Sequence, residues 1–148
     1  MTFLLDTNVL SELRKGERCD PCVAAWFRGV PEDELFLSVL VIGELRYGAE
    51  RIRARDPRQY AALDKWLILA VDRFANRTMA VDRQVAEQWG RLVARATIAT
   101  IDGLIAATAL AHGLIVVTRN LRDFARTGVQ VLNPFEPLSQ TPDADDQR

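Results

Sequence analysis

Four carboxylates occupy positions in this sequence where a divalent cation would explain them. Asp6 ends a short apolar run, Glu44 interrupts a second, and Asp102 is the one charge in a long apolar stretch. Asp123 follows in a polar segment beside Arg122. A charge in apolar surroundings costs several kcal/mol unless it is paired or bound to a metal, and nothing in the local sequence pairs these acids. Oxygen ligands of this kind suit Mg²⁺ or Mn²⁺.

Each acid also has a plainer interpretation, which stays open on the sequence alone. Asp6 could accept hydrogen bonds from backbone N–H groups in a turn, and Asp102 could complement a helix dipole in a first turn. Asp123 could be a solvated surface residue. Glu44 is the hardest to explain in this way, because one apolar face of a helix gives a carboxylate no structural task.

Strand and helix patterns alternate along the chain, which predicts a parallel sheet with right-handed crossovers. Ser38 and Thr100 are the predicted N-caps of two of the helices. The predicted strands are 2–6, 35–37, 78–80, 114–117 and 130–132, and the predicted helices are 8–15, 21–28, 39–55, 57–71, 83–96 and 101–111. The fold class is therefore α/β, a central parallel sheet of about five short strands flanked by helices. Asp6 then lies at the carboxyl end of a strand, the edge at which open α/β sheets bind ligands.

Composition predicts one globular domain. The chain has 148 residues and a formal net charge of −1, so residues 1–135 suffice for one compact domain. The polar stretch 136–148 is predicted to be a disordered tail. The longest apolar run, residues 101–114, is shorter than the roughly 20 residues that cross a membrane, and no signal peptide is recognisable. These features predict a cytoplasmic protein.

Two further groups of residues leave alternatives open. Arginines and lysines cluster in residues 14–18, 46–58 and 119–126, and each cluster could steer a phosphate backbone or form a solvated helix face. Cys19 and Cys22 have the spacing of a redox pair or of half a zinc site. We expect two incidental thiols, because a zinc site needs a second pair of ligands and the chain adds only His112.

Four blocks of sequence together resemble a known family, the PIN-domain ribonucleases, and within it VapC-type toxins of the FitB-like group. The likeness runs from Thr2 to about Phe135. The blocks are Leu4–Glu12, Ser38–Leu45, Ile101–Ala109, and Val117–Asn120 followed by Asp123-Phe124.

The resemblance implies an endoribonuclease that depends on Mg²⁺ or Mn²⁺ and is blocked by a cognate antitoxin protein, and it also implies a homodimer. Asp6, Glu44 and Asp102 would be metal ligands, with Asp123 a fourth and more variable catalytic acid. Other matching positions would contact RNA or orient water: Asn8, Thr118, Arg119 and Asn120. A bound metal would supply the hydroxide that attacks the RNA phosphodiester.

Two other functions compete with this expectation. The same fold could be a catalytically silent binding module that acts through a protein partner. A carboxylate-dependent phosphatase would need a second acid two residues after Asp6, where Asn8 stands. Mechanisms that rely on histidine are disfavoured, because His112 is the only histidine in the chain.

Overall fold

The structure is a computed structural model that describes residues 1–137. Most of the tail predicted over 136–148 lies outside these residues. The strands are β1 Phe3–Leu5, β2 Leu35–Ser38, β3 Thr78–Met79, β4 Ile115–Val117 and β5 Val131–Leu132. The helices are α1 Thr7–Leu13, α2 Pro21–Arg28, α3 Val39–Ile52, α4 Pro57–Arg73, α5 Arg83–Val93, α6 Thr100–His112 and α7 Leu121–Phe124. Single 3₁₀ turns lie at Gly16–Arg18, Glu32–Glu34 and Ala75–Arg77.

The five strands form one parallel sheet in the order β3-β2-β1-β4-β5. This confirms the predicted α/β class and strand number. β1 lies at the centre, and all three of its residues are buried, as expected of a strand covered by helices on both faces. Leu5 pairs with Val117 of β4, so the carboxyl ends of these two strands meet at one edge.

Local capping explains where the helices begin. Ser38 caps α3 as predicted, since its hydroxyl accepts a hydrogen bond from the backbone N–H of Leu40. The predicted cap at Thr100 is wrong. Thr100 is already the first residue of α6, because the backbone turns helical after the extended residue Ala99. No side chain caps this helix start.

α7 was not predicted from the sequence. It is a single four-residue turn of helix between β4 and β5, and it places Asp123 in a helix rather than in the expected polar loop. Phe124 anchors the turn, with 1% of its surface exposed. One buried aromatic therefore fixes a segment that is otherwise polar.

The core lies between the sheet and its helices. The rings of Phe3 in β1 and Trp26 in α2 meet edge to face, 5.4 Å between centroids. On α4, Leu67 is buried, whereas Ile68 and Leu69 are about 60% exposed. Trp26 belongs to the core and Phe27 and Trp66 pack against it, whereas Ile68 and Leu69 remain outside. No helix within residues 1–137 is long and apolar enough to cross a membrane.

Candidate functional site

The four predicted acids come from four separate elements at the carboxyl edge of the sheet. Asp6 directly follows β1, and its backbone N–H donates to the carbonyl oxygen of Val117 at 3.0 Å. Glu44 lies in the second turn of α3, and Asp102 in the first turn of α6. Asp123 lies in α7, just past the end of β4. The parallel sheet therefore gathers residues that are up to 117 positions apart in the sequence.

These carboxylates repel one another. Burial raises the pKa of Asp102, and the charges of Asp6, Asp123 and Glu44 raise it further. Burial also raises the pKa of Asp6, and the charge of Asp123 adds to this increase. Because the other three acids all raise the pKa of Asp102, we treat the four as one electrostatic cluster, which we call the acid cluster (Asp6, Glu44, Asp102 and Asp123).

Exposure increases outward through the acid cluster. Asp6 is 5% exposed, Glu44 and Asp102 are half-buried, and Asp123 is exposed. Within residues 1–137, no three Asp, Glu, His or Cys side chains converge closely enough to hold a metal ion together as they stand. The cluster is thus an open arrangement of acids and not a closed cage.

Hydrogen bonds fix the carboxylate of Asp6. The backbone N–H of Thr7 donates to Oδ1 at 2.8 Å, and the hydroxyl of Thr118 donates to Oδ2 at 2.8 Å. The side-chain amide of Asn8 donates to the same Oδ2 at 3.2 Å. These three bonds lower the pKa of Asp6 and so oppose the effect of its burial.

Thr118 organises the predicted polar neighbours around Asp6. Its fully buried hydroxyl accepts hydrogen bonds from Asn8 Nδ2 at 3.1 Å and from the backbone N–H of Asn120 at 3.0 Å. The structure therefore brings Asn8, Thr118 and Asn120 together beside Asp6. Asn8 and Thr118 bond the carboxylate of Asp6 directly, whereas Asn120 acts only through its backbone N–H, which bonds Thr118.

Thr7 and Glu12 form side-chain hydrogen bonds that were not predicted from the sequence. The hydroxyl of Thr7 donates to Glu44 Oε1 at 2.7 Å and so ties α1 to α3. Glu12, 9% exposed, accepts from Lys15 Nζ at 2.7 Å and from the backbone N–H of Asp20 at 2.8 Å. Both lie within the first matching block, and their partners are distant in the sequence or in a loop, so spacing alone could not reveal these bonds.

Arg119 lies beside the acid cluster, but its side chain contacts Phe135. Its guanidinium lies 3.7 Å from the ring centroid of Phe135, a cation–π contact. Its backbone N–H donates to Asn8 Oδ1 at 3.1 Å. In the 46–58 cluster, Arg46 pairs with Asp64 at 2.8 Å and Arg53 with Glu50 at 3.5 Å. These pairs favour a solvated helix face for that cluster.

The two cysteines have the character of incidental thiols. Both are free and half-buried. Burial raises the pKa of Cys19, and the neighbouring acids Glu12 and Asp20 raise it further. A raised pKa makes this thiol less reactive, because the thiolate is the nucleophile.

A glycine directly after Asp102 sets how closely α6 approaches α5. A Cβ atom at position 103 would lie 3.3 Å from Cδ1 and Nε1 of Trp89. Glycine thus lets the indole ring pack against the backbone that carries Asp102. Within residues 1–137, Trp89 Nε1 is the one buried side-chain nitrogen or oxygen without a hydrogen-bond partner.

Comparison with known proteins places this site in a family. A family model for the PIN domain matches residues 3–130. The chain is 36% identical over 142 residues to "VapC ribonuclease Y4jK" of Sinorhizobium fredii, covering 91% of this chain and 99% of that protein. It is 31% identical over 138 residues to "Toxin FitB" of Neisseria gonorrhoeae, covering 90% of this chain and 98% of that toxin.

Solved structures agree with these sequence matches. The crystal structure of FitAcB from Neisseria gonorrhoeae matches with a TM-score of 0.83 and 32% identity, covering 90% of this chain and 99% of the other. The structure of FitAB bound to an IR36 DNA fragment matches with a TM-score of 0.85 and 28% identity, covering 95% and 100%.

Proposed function

Because the chain belongs to the PIN-domain family, we propose that it is an endoribonuclease toxin of the VapC type, which hydrolyses RNA phosphodiesters with the help of Mg²⁺ or Mn²⁺. The observation that carries the proposal is the acid cluster, in which burial and mutual repulsion raise the pKa of Asp6 and Asp102. Relatives of similar length named as a ribonuclease and as a toxin support the same activity.

The acids fit a hard divalent cation in chemistry and in charge. All four offer carboxylate oxygens, the ligands that Mg²⁺ and Mn²⁺ prefer. Their mutual repulsion is the condition that a bound cation would relieve. The open arrangement suits Mg²⁺ in particular, because this ion keeps several of its waters and takes few direct carboxylate ligands. We propose Asp6, Glu44 and Asp102 as ligands and Asp123 as the outer, fourth acid.

A bound divalent ion would lower the pKa of a water molecule and offset charge on the phosphate. The chain's own residues prepare the site for that chemistry. Thr118 and Asn8 hold one oxygen of Asp6, and the backbone of Thr7 holds the other. Thr7 also orients Glu44. Asp123, which is exposed, is placed to accept a proton from water or to contact RNA.

A histidine-based mechanism has no support from the positions of the residues. His112 is exposed in the last turn of α6, ten residues after Asp102, which corresponds to about 15 Å along a helix. The alternative of a catalytically silent binding module would give the acid cluster no task. Burial and neighbouring carboxylates raise the pKa of Asp6 and Asp102, which reduces stability near neutral pH and favours a function that uses these acids.

Membership of the PIN-domain family also indicates which protein partners to expect. We propose that a cognate antitoxin protein binds and blocks the chain, since solved neighbours include the FitAB pair. We also propose a homodimer in the cytoplasm. Ile68 and Leu69 are two neighbouring exposed apolar residues on α4 that are available to such contacts.

Metal-dependent cleavage of a mixed RNA pool tests the proposed activity. Purified chain free of antitoxin should cut RNA when Mn²⁺ or Mg²⁺ is added, and chelation should stop it. Asp6→Asn and Asp102→Asn should each reduce the rate by at least a hundredfold. Asp82→Asn is the matched control, because Asp82 caps α5 away from the cluster and asparagine is also a good cap.

Two outcomes would contradict the proposal. If the wild-type chain cuts no RNA under these conditions, the silent binding module becomes the better interpretation. If Asp102→Asn cuts as fast as Asp82→Asn, the acid cluster is not the catalytic site. Circular dichroism of each variant separates loss of activity from loss of fold.

A further inference from the structure

A small cavity adjoins the outer side of the acid cluster. Its volume is about 200 Å³, which corresponds to roughly seven water molecules. It is lined by two acids, Asp102 and Asp123, by two arginines, Arg122 and Arg126, and by residues 97–99 before α6. Asp6 and Glu44 do not line it. The cavity therefore shares Asp102 and Asp123 with the acid cluster and extends the proposed site of cleavage on its outer side.

The two arginines of this cavity differ from Arg46 and Arg119 in the partners of their guanidinium groups. Within residues 1–137, neither guanidinium forms an ion pair or stacks on an aromatic ring, although Asp102 and Asp123 line the same cavity. In contrast, Arg46 is paired with Asp64 and Arg119 lies on Phe135. Arg122 and Arg126 thus retain N–H donors that a ligand could use.

The donors of an arginine pair match a phosphate group. A guanidinium offers parallel N–H groups that bind two phosphate oxygens at once, and its charge persists at every physiological pH. The two guanidinium groups would repel a cation or a basic ligand. An apolar ligand would leave both of them without partners. A group with several acceptor oxygens, such as a phosphate, is the ligand that the two arginines fit, whereas the carboxylates of Asp102 and Asp123 belong to the acid cluster.

We propose that Arg122 and Arg126 bind a backbone phosphate of the RNA next to the phosphate that is cleaved. The inference rests on the proposed function, because it takes the cleaved phosphate to lie at the acid cluster. RNA threading past Asp102 and Asp123 would bring its next phosphate into the cavity. Phosphate contacts of this kind position a strand without reading its sequence.

The test compares Arg122→Gln, Arg126→Gln and the double variant with Arg83→Gln. Arg83 is the matched control because it loses the same charge at the far end of the helix pair. Its neighbour Gln84 bonds the carbonyl oxygen of Ala111, nine residues and about 14 Å along α6 from Asp102. Two measurements are made: kcat and KM for a single-stranded RNA with Mn²⁺, and affinity for the same RNA in EDTA by fluorescence anisotropy.

We expect the double variant to raise KM and weaken RNA binding by about tenfold, with a smaller change in kcat, because the two arginines hold the strand and not the reacting atoms. In a plot of log Kd against the logarithm of the salt concentration, the slope should be smaller by about 0.7 for each phosphate that the variant no longer neutralises. Arg83→Gln should stay within twofold of wild type. Lysine at both positions should restore part of the affinity.

Equal binding and KM in the double variant and Arg83→Gln would overturn the inference. Such a result would assign the cavity to another anion, such as a carboxylate of a protein partner. Binding in EDTA does not depend on catalysis. If the wild type binds RNA through these arginines but never cuts it, the proposed function fails while the phosphate site stands. Thermal unfolding of each variant identifies any that fail to fold.

Discussion

Asp102→Asn should stabilise the metal-free protein while removing its response to metal. The substitution keeps the size of the side chain and deletes a charge that three other carboxylates repel. In most helices the loss of an acid from the first turn is destabilising, because the helix dipole favours a negative charge there. Here the repulsion and the helix dipole act in opposite directions, and their magnitudes decide whether the substitution raises or lowers the free energy of unfolding.

Repulsion should win by about 1 kcal/mol. Exposed charge pairs are each worth about 0.2–1 kcal/mol, so three repulsive neighbours of the half-buried Asp102 together cost about 0.6–3 kcal/mol, centred near 2 kcal/mol. The favourable interaction with the helix dipole offsets about 0.3–1 kcal/mol of this. A net gain of about 1 kcal/mol corresponds to a melting temperature about 3–4 °C higher in a domain of this size.

Thermal unfolding with and without Mn²⁺ measures both effects. At a concentration one hundred times Kd, a bound ion stabilises the folded state by about 2.7 kcal/mol. The wild type and Asp82→Asn should show this increase, and Asp102→Asn should lose most of it. The variant is therefore expected to be the more stable protein in EDTA and the less stable one in Mn²⁺.

The pH dependence in EDTA checks the electrostatic origin. The pKa of Asp102 is raised by folding, so the folded chain binds this proton more tightly than the unfolded chain does. Wild-type stability therefore falls as the pH rises from about 4 through the raised pKa. The difference in the free energy of unfolding between wild type and Asp102→Asn should vanish below about pH 4. It should reach its full size at pH values above the raised pKa of Asp102. A variant less stable than wild type in EDTA at pH 7 would refute the reasoning.

Two further substitutions test the bonds that position the acids. Thr118→Val should lower the free energy of unfolding by about 2 kcal/mol, since hydrogen bonds to charged groups contribute about 1.5–3 kcal/mol. Thr118→Ser keeps the hydroxyl and should lose less than about 1 kcal/mol, the value of one methyl group. Urea unfolding in EDTA distinguishes the two variants, and equal losses would contradict the role of the hydroxyl. Glu12→Ala should cost about 1–3 kcal/mol at pH 7, because the N–H of Asp20 loses its partner, and Glu12→Gln should cost less. The bond from Lys15 lowers the pKa of Glu12. The loss of stability caused by Glu12→Ala should therefore shrink as the pH falls below about 4. A loss that is independent of pH would show that the charge of Glu12 does not contribute.

The main framework of the fold could be predicted from the sequence because its signals are local. Alternating strand and helix patterns predict the parallel sheet, and Ser38 marks the start of α3. Errors arose where a distant contact decides the local structure. α7 depends on the burial of Phe124, which no nearby pattern reveals. α6 begins at Thr100, one residue before the predicted start at residue 101, because Ala99 is the last residue with an extended backbone.

For the site, the sequence identifies the acids but not the bonds that hold them. Asp6, Glu44 and Asp102 stand out as charges whose local surroundings do not explain them, whereas Asp123 lies in a polar segment and is added by the family resemblance. The bond from Thr7 to Glu44 joins residues 37 positions apart, and the bond from Thr118 to Asp6 joins residues 112 positions apart. Such pairs are defined by the order of strands in the sheet, which has to be known first. The metal ligands and RNA contacts stay predictions until metal binding and cleavage are measured.

The packing of Trp89 against Gly103 gives the protein an optical reporter of its own site. The indole touches the residue next to Asp102, and its buried Nε1 has no hydrogen-bond partner within residues 1–137. Indole emission is sensitive to polarity, and a small displacement of the first turn of α6 would change what surrounds this ring. With Trp26 and Trp66 replaced by phenylalanine, the fluorescence of Trp89 alone should follow an ion arriving at Asp102, with no RNA and no turnover required.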